Sequence, residues 1–326
     1  MIQLNEIKAR EFLVKNNIAQ YLIIKVAGDA SFRSYYRILD ADKKYILMFA
    51  PPSHEDTAPF VRVDNFLLEQ QFSAPKIHAI DALDGFILLE DFGDDTYTKV
   101  LAKTSSQDLK ETELQLYQKA CDCLTELHQK PLPQDLPHYN NALLFREVML
   151  FLDWYLPLQK KEITVEQIAL FKSLWFELFD QLSKENQVVV LRDYHADNLM
   201  ILPSRHNHQQ VGLLDFQDAV IGSKAYDLVS LLEDARRDLN EENRQKLFDY
   251  YLQKSGCDEA NFKRDYEILS LQRNIKIVGI FSRLSVRDGK HHYLNLLPRV
   301  LNFIDLRLNS SNPIFLEMAK LLEKFI

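Results

Sequence analysis

The sequence predicts an α+β protein built from two lobes, a β-rich N-terminal lobe and a mostly helical C-terminal lobe with a cleft between them. Short runs rich in Ile, Tyr, Phe and Val follow one another in the N-terminal part, whereas apolar residues at three-to-four spacing dominate from Gln107 onward. The change falls after Glu90–Asp95, so we divide the chain into residues 1–93 and 94–326. A cleft between two lobes commonly binds a small molecule.

The N-terminal lobe begins with an amphipathic helix, in which Ile7, Phe12 and Leu13 have helical spacing. Between the strands that follow, turn residues occur at 28–31, 40–42 and 84–85. One further helix is predicted at 57–72, where apolar residues again recur at helical spacing. The predicted strands are 21–27, 33–39, 44–50 and 86–90.

The C-terminal lobe is predicted to contain six helices and a few short strands. Two apolar runs interrupt the helical pattern at 188–193 and 211–216, and residues 199–202 are a candidate partner between them. The predicted helices are 109–129, 141–158, 164–184, 224–239, 241–255 and 258–286.

Composition and charge exclude several classes of function. The 326 residues carry 39 Lys and Arg against 47 Asp and Glu, a formal net charge of −8, which disfavours general nucleic-acid binding. Three cysteines without a CxxC pair are typical of a reducing compartment. Charged residues interrupt the N-terminal apolar positions, and no apolar run approaches the roughly 18 residues of a membrane span. We therefore expect a cytoplasmic protein, a monomer that binds neither nucleic acid nor membrane.

Three polar residues follow short apolar strands in a pattern that suits metal-assisted chemistry. Asp193 ends one strand, Asn198 lies five residues later, and Asp215 ends the next strand, which brings it close if the two strands form a hairpin. Amide and carboxylate oxygens suit Mg²⁺ held together with nucleotide phosphates, and a carboxylate off the metal can accept a proton. The alternative is that all three are ordinary turn residues.

This pattern, Asp-x4-Asn followed by Asp-Phe, resembles the aminoglycoside phosphotransferase superfamily, whose members are relatives of protein kinases. Within it, the chain is most similar to the anomeric N-acetylmuramate/N-acetylglucosamine kinases of cell-wall recycling. Six segments carry the resemblance in the expected order: GDASFRSYYRI (28–38), MFAPPSHED (48–56), FILLEDFGDDTY (86–97), LRDYHADNLM (191–200), LLDFQDAVIGSKAYDLVSLLEDARRD (213–238) and QRNIKIVGIFSRLSVRDGKHHYLNLLPRV (272–300). The resemblance implies a protein-kinase-like bilobal fold and the cofactors ATP and Mg²⁺.

The resemblance also implies a role for each matching residue. Asp193 is the expected catalytic base, and Asn198 and Asp215 are the expected metal ligands. Asp227 is expected to brace the catalytic loop, although as the start of an apolar helix it could also serve only the helix dipole. The expected nucleotide contacts are the loop Gly28–Phe32, with Ser31 and Phe32, and the hinge from Glu90 to Phe92.

The chain departs from the superfamily pattern at three positions. Leu191 stands where many members carry a His, and Gln217 replaces the Gly of Asp-Phe-Gly. Met48 lies near the place of the strand lysine that pairs with nucleotide phosphates in kinases. Phosphoryl transfer still requires positive charge near the phosphates.

We predict that Arg33 supplies this charge, because it directly follows the phosphate loop. The alternative is that Arg33 points outward from the start of its strand and only keeps the edge polar. Lys43 and Lys44, placed as ordinary turn residues, are the weaker candidates.

Four residues on the last predicted helix are candidates for substrate binding. They could attract an anionic group, such as the lactyl carboxylate of N-acetylmuramate, or they could form a solvated helix face above a core stripe. These residues are Arg273, Asn274, Lys276 and Arg283.

Together these observations predict an ATP-dependent phosphotransferase whose partner is a small sugar, with the anomeric hydroxyl of an N-acetyl amino sugar as the acceptor. Kinases of an aminoglycoside, choline or another small alcohol are alternatives within the same class. A nucleotide-binding regulatory module without turnover is the alternative from another class, and the missing strand lysine favours it.

Overall fold

The computed structural model describes residues 4–27, 32–41, 43–184, 187–310 and 312–326. The chain forms two compact units, each made of two segments. The first unit comprises Met1–Val100 and Asp197–Asp218, and the second comprises Leu101–Ala196 and Ala219–Ile326. These units differ from the ranges 1–93 and 94–326 expected from sequence, because the chain returns to the first unit with residues 197–218.

The first unit contains an antiparallel five-stranded sheet in the order β1-β2-β3-β5-β4. All four strands expected from sequence are present, and β4 is an additional edge strand whose burial alternates along its length. The hairpin β7–β8 completes the unit, with Leu199 opposite Leu213. The strands are β1 (Leu22–Ala27), β2 (Ser34–Asp40), β3 (Lys43–Phe49), β4 (Ile77–Asp81), β5 (Phe86–Glu90), β7 (Leu199–Ile201) and β8 (Val211–Leu213).

Two helices accompany the sheet in the first unit. Helix α1 (Glu6–Lys15) starts at Asn5, whose side chain accepts the backbone N–H of Lys8, and it buries Phe12 and Leu13 in a cluster with residues of β2, β3 and β5. Helix α2 (Ala58–Glu69) buries Phe60, and its ring stacks on Phe216 with 5.1 Å between the centroids.

The described residues of the second unit are mostly helical and form one short ladder, in which β6 (Val188–Val190) pairs with β9 (Val220–Gly222). The run 188–193 therefore does not form a hairpin with the run 211–216, since β8 pairs with β7 instead. The helices are α4 (Leu109–Leu127), α5 (Asn141–Leu150), α6 (Leu156–Leu158), α7 (Val165–Asp180), α8 (Ala225–Leu232), α9 (Glu241–Ser255), α10 (Glu259–Asp288), α11 (Leu297–Leu308) and α12 (Pro313–Leu322), while α3 (Tyr97–Lys103) spans the passage between units.

The 30-residue helix α10 is the centre of the second unit and packs against α5, α8 and α11. At Gly279 a Cβ atom would lie 2.4 Å from the carbonyl carbon of Leu150, so only glycine permits this approach of α10 to α5. Directly after Leu150 the helix widens into a π-helical turn, Phe151–Tyr155. The predicted helix 141–158 is thus correct in extent but not uniform.

Helix α8 is shorter than the predicted helix 224–239, because it ends at Leu232. The next residue, Glu233, is fully buried, and its carboxylate accepts hydrogen bonds from Ser270 and Asn274 on α10. These tertiary contacts end the helix where the local apolar pattern would let it continue.

One glycine of the sheet provides a test of the fold. Gly85 has φ +74°, and a Cβ there would lie 2.0 Å from the carbonyl oxygen of Ala50, whose N–H donates to Gly85 at 2.8 Å. We expect Gly85→Ala to lower the free energy of unfolding by about 3 kcal/mol or more, since steric overlap adds to the left-handed penalty of about 1–2 kcal/mol. Gly256→Ala is the matched control, because Gly256 has φ +61° and open space around it. Equal losses in denaturant titrations of the two variants would contradict this account.

Candidate active site

The candidate base lies on a tight turn of the second unit. The buried strand β6 continues through buried Leu191 to Arg192, whose φ is +70°, and then to Asp193. The N–H of Asp193 donates back to the carbonyl of Leu191 at 2.9 Å. Arg192 therefore has a left-handed backbone conformation that is unusual for a residue other than glycine, and this conformation sets the direction of Asp193.

Asp227 holds this turn in place. Its two carboxylate oxygens accept the backbone N–H groups of Leu191 at 2.6 Å and of Arg192 at 2.8 Å. Asp227 is fully buried, and burial raises its pKa to about 7 although both hydrogen bonds act in the opposite direction. Asp227 lies in the first turn of α8, but these contacts give it the bracing geometry that the resemblance implied.

The charges around Asp193 favour its ionised form. Burial raises the pKa of this carboxyl, but the positive charge of Lys276 and, after it, those of His195, Arg273 and Arg192 lower it by more, so the net shift is downward. An ionised carboxylate can accept a proton. The charges of the second unit therefore keep Asp193 in the form that can accept a proton.

The two candidate metal ligands lie together in the first unit. Asn198 directly precedes β7, Asp215 follows β8 by one residue, and the N–H of Leu214 donates to the Asn198 carbonyl at 3.0 Å. Asp215 has φ +59°, and Gln217 Nε2 donates to its Oδ1 at 2.9 Å. The hairpin β7–β8 thus brings one amide and one carboxylate to the same end of a rigid element.

This donor set fits Mg²⁺ shared with nucleotide phosphates. Among the described residues, no group of three or more His, Cys, Asp or Glu side chains is arranged to hold a metal ion. A Mg²⁺ bound mainly through phosphates needs only one or two protein oxygens, and Asn198 with Asp215 offers that number and type.

Arg33 does not point outward from its strand. Its guanidinium forms an ion pair with Glu55 at 3.0 Å, and both side chains are largely buried. Burial lowers the pKa of Arg33, but Tyr35, Glu55 and Asp215 raise it by more, which places the positive charge within electrostatic reach of Asp215. Met48 is fully buried, and Lys43 and Lys44 are exposed.

The expected nucleotide loop is described only in part. Gly28 and Ser31 lie outside the described residues. Phe32 is half-exposed, its ring lies 4.6 Å from that of His54, and its N–H donates to the Glu55 carboxylate at 3.2 Å. Glu55 therefore holds the end of this loop as well as Arg33.

The hinge is held by two arginines that sequence reasoning missed. Arg205 donates to the Glu90 carboxylate at 2.5 Å, and its guanidinium lies 5.0 Å from the ring centroid of Phe92. Arg37 donates to Asp91 through Nε at 2.5 Å. The chain from Glu90 to Phe92 is thus tied both to the sheet and to the segment that follows β7.

Three of the four residues predicted to bind substrate are buried, which contradicts the solvated helix face for them, while substrate binding stays a prediction. Arg273 is 2% exposed and donates to Ser230 at 2.9 Å, while Asn274 is fully buried and donates to Glu233. Lys276 is 6% exposed, and Arg283 is half-buried. A solvated helix face does not describe Arg273, Asn274 and Lys276, because they donate to groups of α8 and its C-terminal end in the interior.

A buried carboxylate that pairs with Arg192, the residue before the candidate base, was missed at the sequence level. Glu147 of α5 accepts hydrogen bonds from Tyr139, from Gln272 and from Arg192. The helical pattern could have indicated its burial, since Leu144 and Val148 on the same face of α5 are buried as well. A charged residue on a buried helix face requires a partner.

The comparisons with known proteins show the family to which the chain belongs. A profile of the phosphotransferase enzyme family, APH, matches residues 23–265. The chain belongs to that family. It is 34% identical over 290 residues to N-acetylmuramate/N-acetylglucosamine kinase of Pseudomonas putida, covering 86% of this chain and 81% of the relative. It is 32% identical over 331 residues to the protein of the same name from Caulobacter vibrioides, covering 90% of each.

Two solved phosphotransferase and kinase structures have a similar fold. Spectinomycin phosphotransferase APH(9)-Ia in complex with AMP matches with a TM-score of 0.66 at 13% identity, over 96% of this chain and 100% of that one. Choline kinase LicA from Streptococcus pneumoniae matches with a TM-score of 0.62 at 13% identity, over 92% and 98%. The predicted kinase-like fold and the phosphotransferase class are confirmed. In the part of the chain described here, no helix has the length and apolar character to cross a membrane.

Asp64 on α2 predicts a pH dependence of stability. It is fully buried, neither carboxylate oxygen has a hydrogen-bond partner among the described residues, and burial, with a smaller effect of Glu90, raises its pKa to about 7. A raised folded-state pKa stabilises the fold at low pH, and this contribution is lost as pH rises through about 7. In denaturant titrations, we expect the free energy of unfolding of Asp64→Asn, relative to that of wild type, to increase from pH 4 to pH 7. The exposed Asp153→Asn is the control, and a pH-independent difference for Asp64→Asn would contradict the assignment.

Proposed function

We propose that this protein transfers the γ-phosphoryl group of ATP to a hydroxyl of an amino sugar, namely the anomeric hydroxyl of N-acetylmuramate or N-acetylglucosamine. The observation that carries the proposal is the similarity to kinases of that name over more than four fifths of the chain. The Asp193, Asn198 and Asp215 set supports it, since nucleotide binding alone needs no base.

Asp193 is the general base in this proposal. The sugar hydroxyl must lose a proton as its oxygen attacks phosphorus, and an ionised carboxylate in hydrogen-bond reach accepts it. Lys276 and the other cations keep Asp193 ionised, and Asp227 fixes the backbone that presents it. The second unit therefore supplies the group that activates the acceptor.

Asn198 and Asp215 would hold Mg²⁺. When bound, the ion neutralises the charge that develops on the phosphate oxygens. Gln217 orients the Asp215 carboxylate by its hydrogen bond, and the hairpin β7–β8 keeps Asn198 beside it. The rest of the nucleotide is assigned to Gly28, Ser31 and Phe32 of the loop and to the hinge residues Glu90 and Phe92.

Arg33 replaces the missing strand lysine in this proposal. Its charge is held by Glu55 and lies within reach of Asp215, whereas Met48 on β3 has no charge to offer. A cation beside the metal ligand stabilises the phosphoryl group in transfer. The pair of Arg33 and Glu55 thus performs the task that a strand lysine performs elsewhere in the superfamily.

The remaining assignments are those expected from the composition and pattern of the sequence. We propose a cytoplasmic enzyme that acts as a monomer on a small sugar, without nucleic acid or membrane. The ranges 1–93 and 94–326 are proposed as the nucleotide-binding and the catalytic, substrate-binding lobes.

The test is ADP release with a panel of sugars, aminoglycosides and choline, with and without Mg²⁺, with the product's phosphorylated position read by phosphorus NMR. We expect Mg²⁺-dependent turnover on N-acetyl amino sugars and a phosphate at the anomeric position. Asp193→Asn should lower kcat by ~10²-fold or more and leave Mg-nucleotide binding intact. Asp215→Ala should weaken that binding as well, because it removes a metal ligand. Turnover confined to choline or aminoglycosides, or a fully active Asp193→Asn, would refute the proposal.

Arg33 can be tested in the same assay. We expect Arg33→Ala to lower kcat/KM for the nucleotide on the order of 10²-fold, because positive charge is lost next to the transferred group. Met48→Lys in that background should recover part of the loss. Lys44→Ala is the control, since Lys44 is exposed, and it should have wild-type kinetics. If Arg33→Ala also had wild-type kinetics, the cation would have to come from another residue.

A further inference from the structure

Side chains from three other parts of the second unit meet at the carboxylate of Glu147 on α5. The hydroxyl of Tyr139, in the segment before α5, donates to Glu147, and so does Gln272 Nε2 on α10 at 3.0 Å. The guanidinium of Arg192, on the turn that carries the candidate base, forms an ion pair with it. Lys276 Nζ, also on α10, lies 3.6 Å away and donates to the hydroxyl of Tyr226 on α8 at 2.6 Å.

The pair of Glu147 and Arg192 is poorly explained by stability alone. Both side chains are largely buried, at 8% and 19% exposure, and a buried ion pair often stabilises a fold no better than apolar residues of similar size would. The neighbours confirm that Glu147 carries a charge here. Burial raises its pKa, but Lys276 and Arg192 lower it by more, so the net shift is downward.

Arg192 is also the residue of this turn whose backbone has an unfavourable, left-handed conformation. Its φ of +70° is penalised for any residue with a Cβ, and such conformations persist only where several contacts impose them. The backbone N–H of Arg192 is held by Asp227, and its side chain is held by Glu147 and lies 5.4 Å from the ring centroid of Tyr139. The two ends of the residue are thus anchored to α8 and to α5.

We infer that Glu147 and Arg192 are a pair of positioning residues for the reaction, which hold the turn after β6 in its left-handed conformation and so fix the direction of the Asp193 side chain. The inference rests on the proposed function of Asp193 as base. Rotation about the backbone of Arg192 moves every atom of Asp193 relative to β6, so an anchor on the Arg192 side chain limits where the carboxylate can lie. Small displacements of a catalytic group are costly in rate.

The test compares three substitutions at Arg192 that separate strain from anchoring. Glycine adopts φ +70° without penalty but has no side chain to contact Glu147. Alanine also lacks this contact and carries the backbone penalty in addition. Lysine keeps a positive charge that can reach Glu147. We expect the melting temperature of Arg192→Gly to lie about 2–4 °C above that of Arg192→Ala. Both variants should nevertheless lose roughly 10-fold or more in kcat, with the KM for the nucleotide within about twofold of wild type. Arg192→Lys should recover at least about a third of the wild-type kcat.

The coupling to Glu147 is tested by a double-mutant cycle. Glu147→Gln should lower kcat in the wild-type background and have little further effect in Arg192→Gly, because the two residues act through one contact. The control is Arg237→Gly, since Arg237 pairs with Glu113 of α4 at 2.9 Å with similar burial, 16% and 3%. This variant should lower the melting temperature and leave kcat per folded molecule unchanged.

Each of three results would overturn the inference. The first is a wild-type kcat in Arg192→Gly, the second is a kcat that follows the melting temperatures of the three variants, and the third is additive effects in the double-mutant cycle. Sugar-independent ATP hydrolysis is measured in parallel with sugar phosphorylation. A wild-type chain that hydrolyses ATP but phosphorylates no sugar would refute the proposed function, and the Arg192 series would then be compared on hydrolysis. In a chain without any turnover, equal melting temperatures of Arg192→Gly and Arg192→Ala would still overturn the inference.

Discussion

The contact on which the candidate site depends is the pair of hydrogen bonds from the backbone of Leu191 and Arg192 to the carboxylate of Asp227. A turn that leaves a short strand and bends through a left-handed residue has no regular partner for its N–H groups, and buried N–H groups without partners are costly. Asp227 satisfies two of them at once. It does so from the first turn of α8, so the position of the base is tied to the core of the second unit rather than to a surface loop.

The interior of the second unit contains buried carboxylates, and two of them are paired with cations. Glu233 is fully buried and accepts from Ser270, Asn274 and Arg307, while Glu147 is surrounded by Arg192, Lys276, Gln272 and Tyr139. Removing one partner of such a pair leaves an uncompensated buried charge, which is far more costly than the pair is stabilising. Helix α10 supplies many of the partners, so this helix organises the polar interior as well as the apolar core.

The groups assigned to the nucleotide and the group assigned to the acceptor belong to different units of the chain. Asn198, Asp215, Arg33 and the hinge lie in the first unit, and Asp193 lies in the second, although Asp193 and Asn198 are only five residues apart in sequence. The hairpin β7–β8 joins the first unit through contacts with the chain before it. Thr96 bridges to Met200, Ser73 bridges to Gly212, and the N–H of Ile201 donates to Asp95 at 2.9 Å. The proposed division of labour between binding phosphate and activating the acceptor therefore follows the division into compact units.

The sequence by itself determined the elements whose signal is local. The strands at 21–27, 33–39, 44–50 and 86–90 and the helix 241–255 appear in the structure because periodicity and turn residues specify them within a few positions. The order of Asp193, Asn198 and Asp215, and with it the family, could also be read from the chain. Only the tertiary structure decided the rest. The strand β9 has three residues, and nothing local distinguishes it from a loop until it pairs with β6.

The buried state of Arg273, Asn274 and Lys276 is a second such case, because charged residues on a long helix are indistinguishable from a solvated face until partners from α5 and α8 are placed beside them. The direction of Arg33 depended in the same way on Glu55, 22 residues further along the chain. Periodicity reports which side of an element is apolar. It carries no information on which distant side chain will neutralise a buried charge, and in this protein those distant pairings position the candidate site.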